Sequence, residues 1–115
     1  MAGNQIIRRA MAADAANVRS LTRVAYAKWV PLIGREPLPM TADYDRAVAE
    51  HIVELLEQDG RLVGLIELVP ESTFLMIENL AVDPGHQRQG VGERLLRHAE
   101  NIARALGHSE TRLYT

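Results

Sequence analysis

Apolar positions recur at two periods along this chain. From Val91 to Leu106 they return every three or four residues. Val91, Leu95, Ala99, Ile102 and Leu106 form a stripe, widened by Leu96 and Ala103, while Glu93, Arg94, Arg97, Glu100 and Arg104 hold the other side. That spacing predicts a long amphipathic helix, which Gly107 stops as a glycine just past the last turn. A second helix is predicted over Ala15–Trp29, capped by Asp14, with Val18, Leu21, Ala25 and Trp29 on one face, and Pro31 ends it. A shorter one starts at Thr41 or Asp43 and runs to Glu50. The period-two segments are strands. Gln5–Arg9 is the first. Ile52–Gln58 and Leu62–Val69 pair around Asp59-Gly60, a two-residue hairpin signal. Gly64 inside the third strand predicts a bulge or a close approach. Phe74–Val82 is a fourth strand, closed by Asp83-Pro84-Gly85, and Thr111–Thr115 returns as a fifth, parallel to the fourth.

The fourth strand is apolar on both faces, so it is expected at the centre of the sheet. Strict alternation sets Phe74, Met76, Glu78, Leu80 and Val82 on one face and Leu75, Ile77, Asn79 and Ala81 on the other. Glu78 is then a carboxylate in an apolar strand. Without a cationic partner, burial would raise its pKa and suit it to act as a base. The structural alternative is that it pairs with an arginine, or sits where the strand bends and water enters. Glu67 is the second candidate of this kind. Between the first two helices, Pro31–Met40 has three prolines and a glycine among apolar residues. It reads as an irregular loop, either packed on the core as a cover or forming the wall of a substrate pocket.

The turn Gln87-Arg88-Gln89-Gly90-Val91-Gly92 joins the fourth strand to the long helix. Glycines let a ligand approach the backbone, and the first amides of a helix have no intrahelical acceptor. With the helix dipole behind them they suit a phosphate. The alternative is a tight strand-to-helix turn with a solvated arginine. Two familiar phosphate loops are excluded. No Gly-Lys-Ser/Thr follows the glycines, and the three-glycine dinucleotide fingerprint with its later acidic residue is absent.

Composition narrows the function classes. With 115 residues the chain is a single domain with room for a core. Its formal net charge of −2 leaves no strong nucleic-acid or membrane footprint. No apolar run approaches the roughly 20 residues of a membrane span, and the N-terminus lacks a signal peptide's apolar region. The absence of cysteine excludes disulfides, a thiol nucleophile and thiolate metal sites, and makes a cytoplasmic location the default. His51, His86, His98 and His108 lack metal-protease spacing, so no metal is expected.

Gln87 to Gly92 fits Q/R-x-x-G-x-G/A, the pyrophosphate loop of the GNAT superfamily of N-acetyltransferases, and the lead-in Glu78-Asn79-Leu80-Ala81-Val82-Asp83-Pro84 and the helix that follows also resemble that family. The resemblance implies a mixed α/β (α+β) fold with a mostly antiparallel sheet, in the order strand, helix, helix, three strands, helix, strand. It implies acetyl-CoA as cofactor and transfer of acetyl to an amine by direct attack in a ternary complex. A bulge would splay the fourth and fifth strands. Leu80, Ala81 and Val82 would meet pantetheine, and Gln87, Arg88, Gln89, Gly90, Val91 and Gly92 the pyrophosphate. Glu78 would be the base. Tyr26, Trp29, Arg35 and Glu67 become candidates for contact with a small-molecule or peptide amine.

One departure accompanies the match. Family members continue past the fifth strand with another helix and two strands, and that helix region often carries a tyrosine that protonates the departing thiolate. Here the sequence stops at Leu113-Tyr114-Thr115, so about the first two-thirds of the fold is expected, and Tyr114 belongs to the strand. An unpaired last strand would offer its edge to a second copy, giving a homodimer. Two other classes stay open: a CoA-binding or protein-interaction module without catalysis, and a nucleotide-binding protein using the same loop.

Overall fold

The computed structural model describes residues 4–27, 30–33 and 38–113. Strand β1 (Gln5–Arg9) is followed by a 3-10 turn, Ala12–Asp14, and helix α1 (Ala15–Tyr26). Two single-turn helices, α2 (Val30–Ile33) and α3 (Leu38–Thr41), precede α4 (Tyr44–Glu50). Strands β2 (Ile52–Gln58), β3 (Arg61–Pro70) and β4 (Leu75–Val82) lead to α5 (Val91–Ala105) and β5 (Thr111–Leu113). The sheet runs in chain order, antiparallel from β1 to β4 and parallel between β4 and β5.

Each face of the sheet carries its own core. On one side α5 lays Val91, Leu95, Ala99 and Ala103 on Leu56, Ile66, Leu68 and Ile77. On the other, Val18 and Leu21 of α1 and Tyr44 and Ala47 of α4 cover Val53, Leu55, Leu65 and Ala81. The hairpin turn has φ of 52° at Asp59 and 81° at Gly60, the left-handed pair that matches the strand twist.

Three expectations change. The segment expected to be an irregular loop contains α2 and α3, because Pro31 and Pro39 sit in the first turns of those helices, where a missing N–H costs nothing. Strict alternation in β4 fails at Glu78. Glu67 opposes Asn79 while Leu68 opposes Ile77, so Glu78 is an extra residue in a β-bulge. Leu75 and Ile77 therefore face α5, whereas Asn79 and Ala81 face the α1 and α4 side. The third concerns Asp14, which precedes α1 without capping it by its side chain. Its carboxylate turns back to accept two 2.9 Å bonds from the Arg8 guanidinium and a 2.8 Å bond from the Met11 amide. Paired, charge-assisted bonds outweigh a single cap bond.

Those bonds lower the Asp14 pKa from 3.8 to about 2, the Arg8 hydrogen bond being the largest cause. Its stabilisation is complete above the unfolded value of 3.8 and is lost as pH falls towards about 2. Asp14→Asn should cost about 1–2 kcal/mol at neutral pH, limited by the solvent contact of Arg8. It should also remove that part of the acid loss, as urea titrations across this pH range would measure.

Candidate functional site

The end of β4 and the start of α5 form one wall of a cleft. After β4 the chain makes a 3-10 turn, Pro84–His86, held by a 2.7 Å contact between His86 Nδ1 and the Asp83 carboxylate. Arg88 then takes φ 65° and Gly90 φ 81°, and α5 begins at Val91. An arginine in the left-handed region is uncommon, while Gly90 enters it without steric cost. No side chain caps α5, so the amides of its first turn keep their donors free. A Cβ at Gly92 would meet only Val82 Cγ2, at 3.7 Å, so packing does not demand glycine there. Gly64 is different: its missing Cβ lets Val91 and Leu95 seat α5 directly on β3.

The β4 part of this wall is an open strand edge. β5 is in register only with Leu75–Ile77. Beyond the bulge, the Asp83 amide bonds Val63 across β3, so in an antiparallel ladder the backbone groups of Leu80 and Val82 point away from β3. The Tyr26 hydroxyl donates to the Leu80 carbonyl at 3.4 Å, from that free edge. Burial raises the Tyr26 pKa, which keeps this hydroxyl protonated at neutral pH. Together these elements line an open cavity of about 550 Å³, walled by Tyr26, Leu80, Val82, Gln87, Arg88, Gly90, Val91 and Gly92.

A second cavity, about 420 Å³, is lined by α4 and the residues flanking it together with Glu67 of β3 and the middle of β4. The bulge brings Glu78 and Asn79 to it together, beside Glu67. Glu78 is half-buried and has no hydrogen-bond partner among the described residues. Glu67 is buried and meets His51 Nδ1 at 2.6 Å. The Asn79 amide nitrogen donates to Thr22 Oγ1 and to the Tyr44 hydroxyl, each at 3.1 Å. Burial pushes the Tyr44 pKa up to about 12, so this hydroxyl keeps its proton and donates it to the Pro39 carbonyl.

The structure thus separates the sequence candidates into two places. Leu80, Val82 and the loop from Gln87 to Gly92, apart from exposed Gln89, line the first cavity. Ala81 is buried against the α1 and α4 side and does not line it. Tyr26 belongs to that first cavity, while Glu67 and Glu78 line the second. Trp29 and Arg35 lie outside the described residues. His51, Tyr44 and Asn79 escaped the sequence reading. The one signal for them was Asn79, a polar residue beside Glu78 in an otherwise apolar strand. Among the described residues no three His, Asp or Glu side chains gather as metal ligands, and no helix is long and apolar enough to cross a membrane.

Comparison with solved structures gives the same fold. A PaiA N-acetyltransferase from Thermoplasma acidophilum, in complex with coenzyme A, superposes with a TM-score of 0.85 at 21% identity, over 97% of this chain and 79% of that one. A GNAT family acetyltransferase from Brucella melitensis, in complex with acetyl-CoA, gives 0.77 at 23% identity, over 98% of this chain and 77% of its own. An aminoglycoside N-acetyltransferase in complex with CoA gives 0.74 at 16% identity, over 100% of this chain and 79% of its own. The chain therefore spans more of these relatives than the two-thirds expected. No curated protein sequence matches it. The model of the acetyltransferase (GNAT) family matches residues 16–115, and the chain belongs to that family.

Proposed function

We propose that this chain is an N-acetyltransferase that takes acetyl-CoA in the first cavity and transfers its acetyl group to an amine. The observation that carries this reading is the continuity of that cavity. It runs from the uncapped amides of α5 to the free backbone edge of Leu80 and Val82. The first suits a pyrophosphate and the second an amide-bearing chain lying as an added strand. The residues present fit the cofactor, since Gly92 leaves open cavity where packing would accept a side chain.

When bound, acetyl-CoA supplies the activated acetyl thioester. The first-turn amides from Val91 to Glu93 would hold its pyrophosphate, and Arg88 would add a positive charge at the mouth. Leu80 and Val82 would bond the pantetheine amides. The Leu80 N–H is the donor available to the thioester oxygen, where a preorganised dipole is most effective. An alkylamine with a pKa near 10.4 reaches the site protonated. Glu78, the extra residue of the bulge on the same strand, would take that proton, directly or through water. The carboxylate needs no buried setting for this, only reach.

Calorimetric titration with acetyl-CoA, run beside ADP, tests the reading. Saturable acetyl-CoA binding that exceeds ADP binding supports it. Equal binding of the two would assign the loop to phosphate alone, and binding without thiol release on any amine would leave a CoA-binding module. Gly92→Ala should separate fold from function. It should stabilise the first turn of α5 by up to about 1 kcal/mol while weakening acetyl-CoA binding about ten-fold. A variant that gains stability and keeps full affinity would remove Gly92 from the cofactor site.

A further inference from the structure

The second cavity has a charge its own residues do not balance. Its described walls carry four carboxylates, Asp43, Glu50, Glu67 and Glu78, against one guanidinium, Arg46, and the imidazole of His51. Arg46 is committed to Glu50 at 2.6 Å, and His51 to Glu67 at 2.6 Å. Glu78 has no such partner among the described residues. A field of one sign in a concave, partly dry site draws in ligands of the opposite sign.

A second observation points the same way and does not depend on charge. Asn79 is 3% exposed and lines this cavity, and its Oδ1 is buried with no hydrogen-bond partner. Its orientation is fixed by its neighbours. Thr22 Oγ1 donates its proton to the Val18 carbonyl at 2.8 Å, and the Tyr44 hydroxyl donates to Pro39 at 2.6 Å. Both hydroxyls can only accept from Asn79, so the amide nitrogen must face them and the oxygen must face away. A buried acceptor left unpaired costs about 1–3 kcal/mol, which a ligand donor would recover.

The carboxylates are also spaced against an inorganic ion. Among the described residues no three acidic or histidine side chains come together as metal ligands. Separate negative points along one cavity suit an elongated organic cation with separated charges.

We propose that this cavity is the acceptor subsite and that its substrates are diamines or higher polyamines, one nitrogen delivered beside Glu78 and a second, still protonated, held by Glu67 and the Asn79 oxygen. This rests on the acetyltransferase reading only for the fate of the first nitrogen; recognition of the second belongs to the cavity itself. In the transfer, the nitrogen at Glu78 loses a proton to that carboxylate and forms the new bond to the acetyl carbon. The nitrogen's second proton passes to the sulfur as the carbon–sulfur bond breaks, and CoA leaves as its thiol.

The test is calorimetric and needs no turnover. The chain without acetyl-CoA is titrated at low salt with diamines from 1,3-diaminopropane to 1,8-diaminooctane, each against the monoamine of equal length. At least one diamine should bind about ten-fold or more tightly than its monoamine, an advantage that salt diminishes. Glu67→Gln should remove most of that advantage. Glu50→Lys, an exposed change on α4 that leaves the core intact, should lower it as well. Glu100→Gln, on α5 across the sheet, should leave it unchanged. Equal binding of diamines and monoamines throughout the series, or an advantage that survives both cavity variants, would overturn the proposal. Acetyl-CoA titrated in parallel separates the two readings. Diamine selectivity without acetyl-CoA binding would sink the acetyltransferase and keep the cation site, and the reverse result would keep the enzyme and sink the diamine subsite.

Discussion

Glu78→Gln should lower turnover by about 100- to 10,000-fold while leaving acetyl-CoA affinity unchanged, the span expected when a positioned proton acceptor is removed. The substitution keeps the shape and length of the side chain and deletes only the charge. No hydrogen bond to a described residue depends on the carboxylate, and the bulge that presents it is a property of the backbone register between β3 and β4. Stability should therefore change little, within about 0.5 kcal/mol, as for a half-exposed position. The measurement is release of CoA thiol under saturating acetyl-CoA, resolved into kcat and KM for the best acceptor of an amine screen. A fall in kcat at constant acetyl-CoA affinity places Glu78 at the proton transfer. If KM alone rises, Glu78 serves to attract the cation. A variant with wild-type kcat and KM would reduce Glu78 to a solvated carboxylate at a bend, the structural alternative that its half-buried position keeps in view.

Much of this architecture is legible in the sequence, for reasons that differ from element to element. The α5 stripe and the Asp59-Gly60 turn rest on local geometry, a 3.6-residue period and a left-handed residue pair, so they survive without knowledge of the rest of the chain. The turn before α5, proposed to hold the cofactor, is legible as a turn because its requirements are local too: a glycine at φ 81° in Gly90, and a missing side chain at Gly92. The bulge at Glu78 is not local. It is a mismatch of register between two strands, and a period-two reading of β4 alone puts Glu78 and Asn79 on opposite faces. The second cavity was missed for the same reason, since His51, Tyr44, Glu67 and Asn79 come from α4, the turn after it, β3 and β4, and only pairing brings them together. Asp14 shows the opposite kind of failure. Its position before a helix is a sound local signal, but Arg8 on the neighbouring strand offers two charge-assisted bonds, and the tertiary partner wins.

Gly64→Ala should damage both stability and cofactor binding, through one pair of atoms. A Cβ built there would lie 2.6 Å from Val91 Cγ1 and 3.1 Å from Leu95 Cδ1, and both of those side chains are fully enclosed. Val91 is β-branched and stiff at χ1, so it cannot swing aside as a lysine tip would. Either the β3 backbone moves or the first turn of α5 lifts from the sheet. Overpacking of this kind costs about 1–3 kcal/mol, less the few tenths recovered by replacing glycine in a strand, and lowers Tm by about 4 °C per kcal/mol. Because Val91 is also on the wall of the first cavity, the lift displaces the amides proposed to hold the pyrophosphate, and acetyl-CoA binding should weaken more than the stability loss alone requires. Adding Val91→Ala removes the opposing methyl groups. The double variant should then be more stable than the sum of the two single losses predicts, by about 1 kcal/mol or more, since contacting residues couple on that scale. Thermal denaturation and acetyl-CoA titration of the four proteins in the cycle measure both effects. A Gly64→Ala protein with wild-type Tm would show that α5 tolerates displacement from β3, and the seating of that helix would no longer explain the glycine.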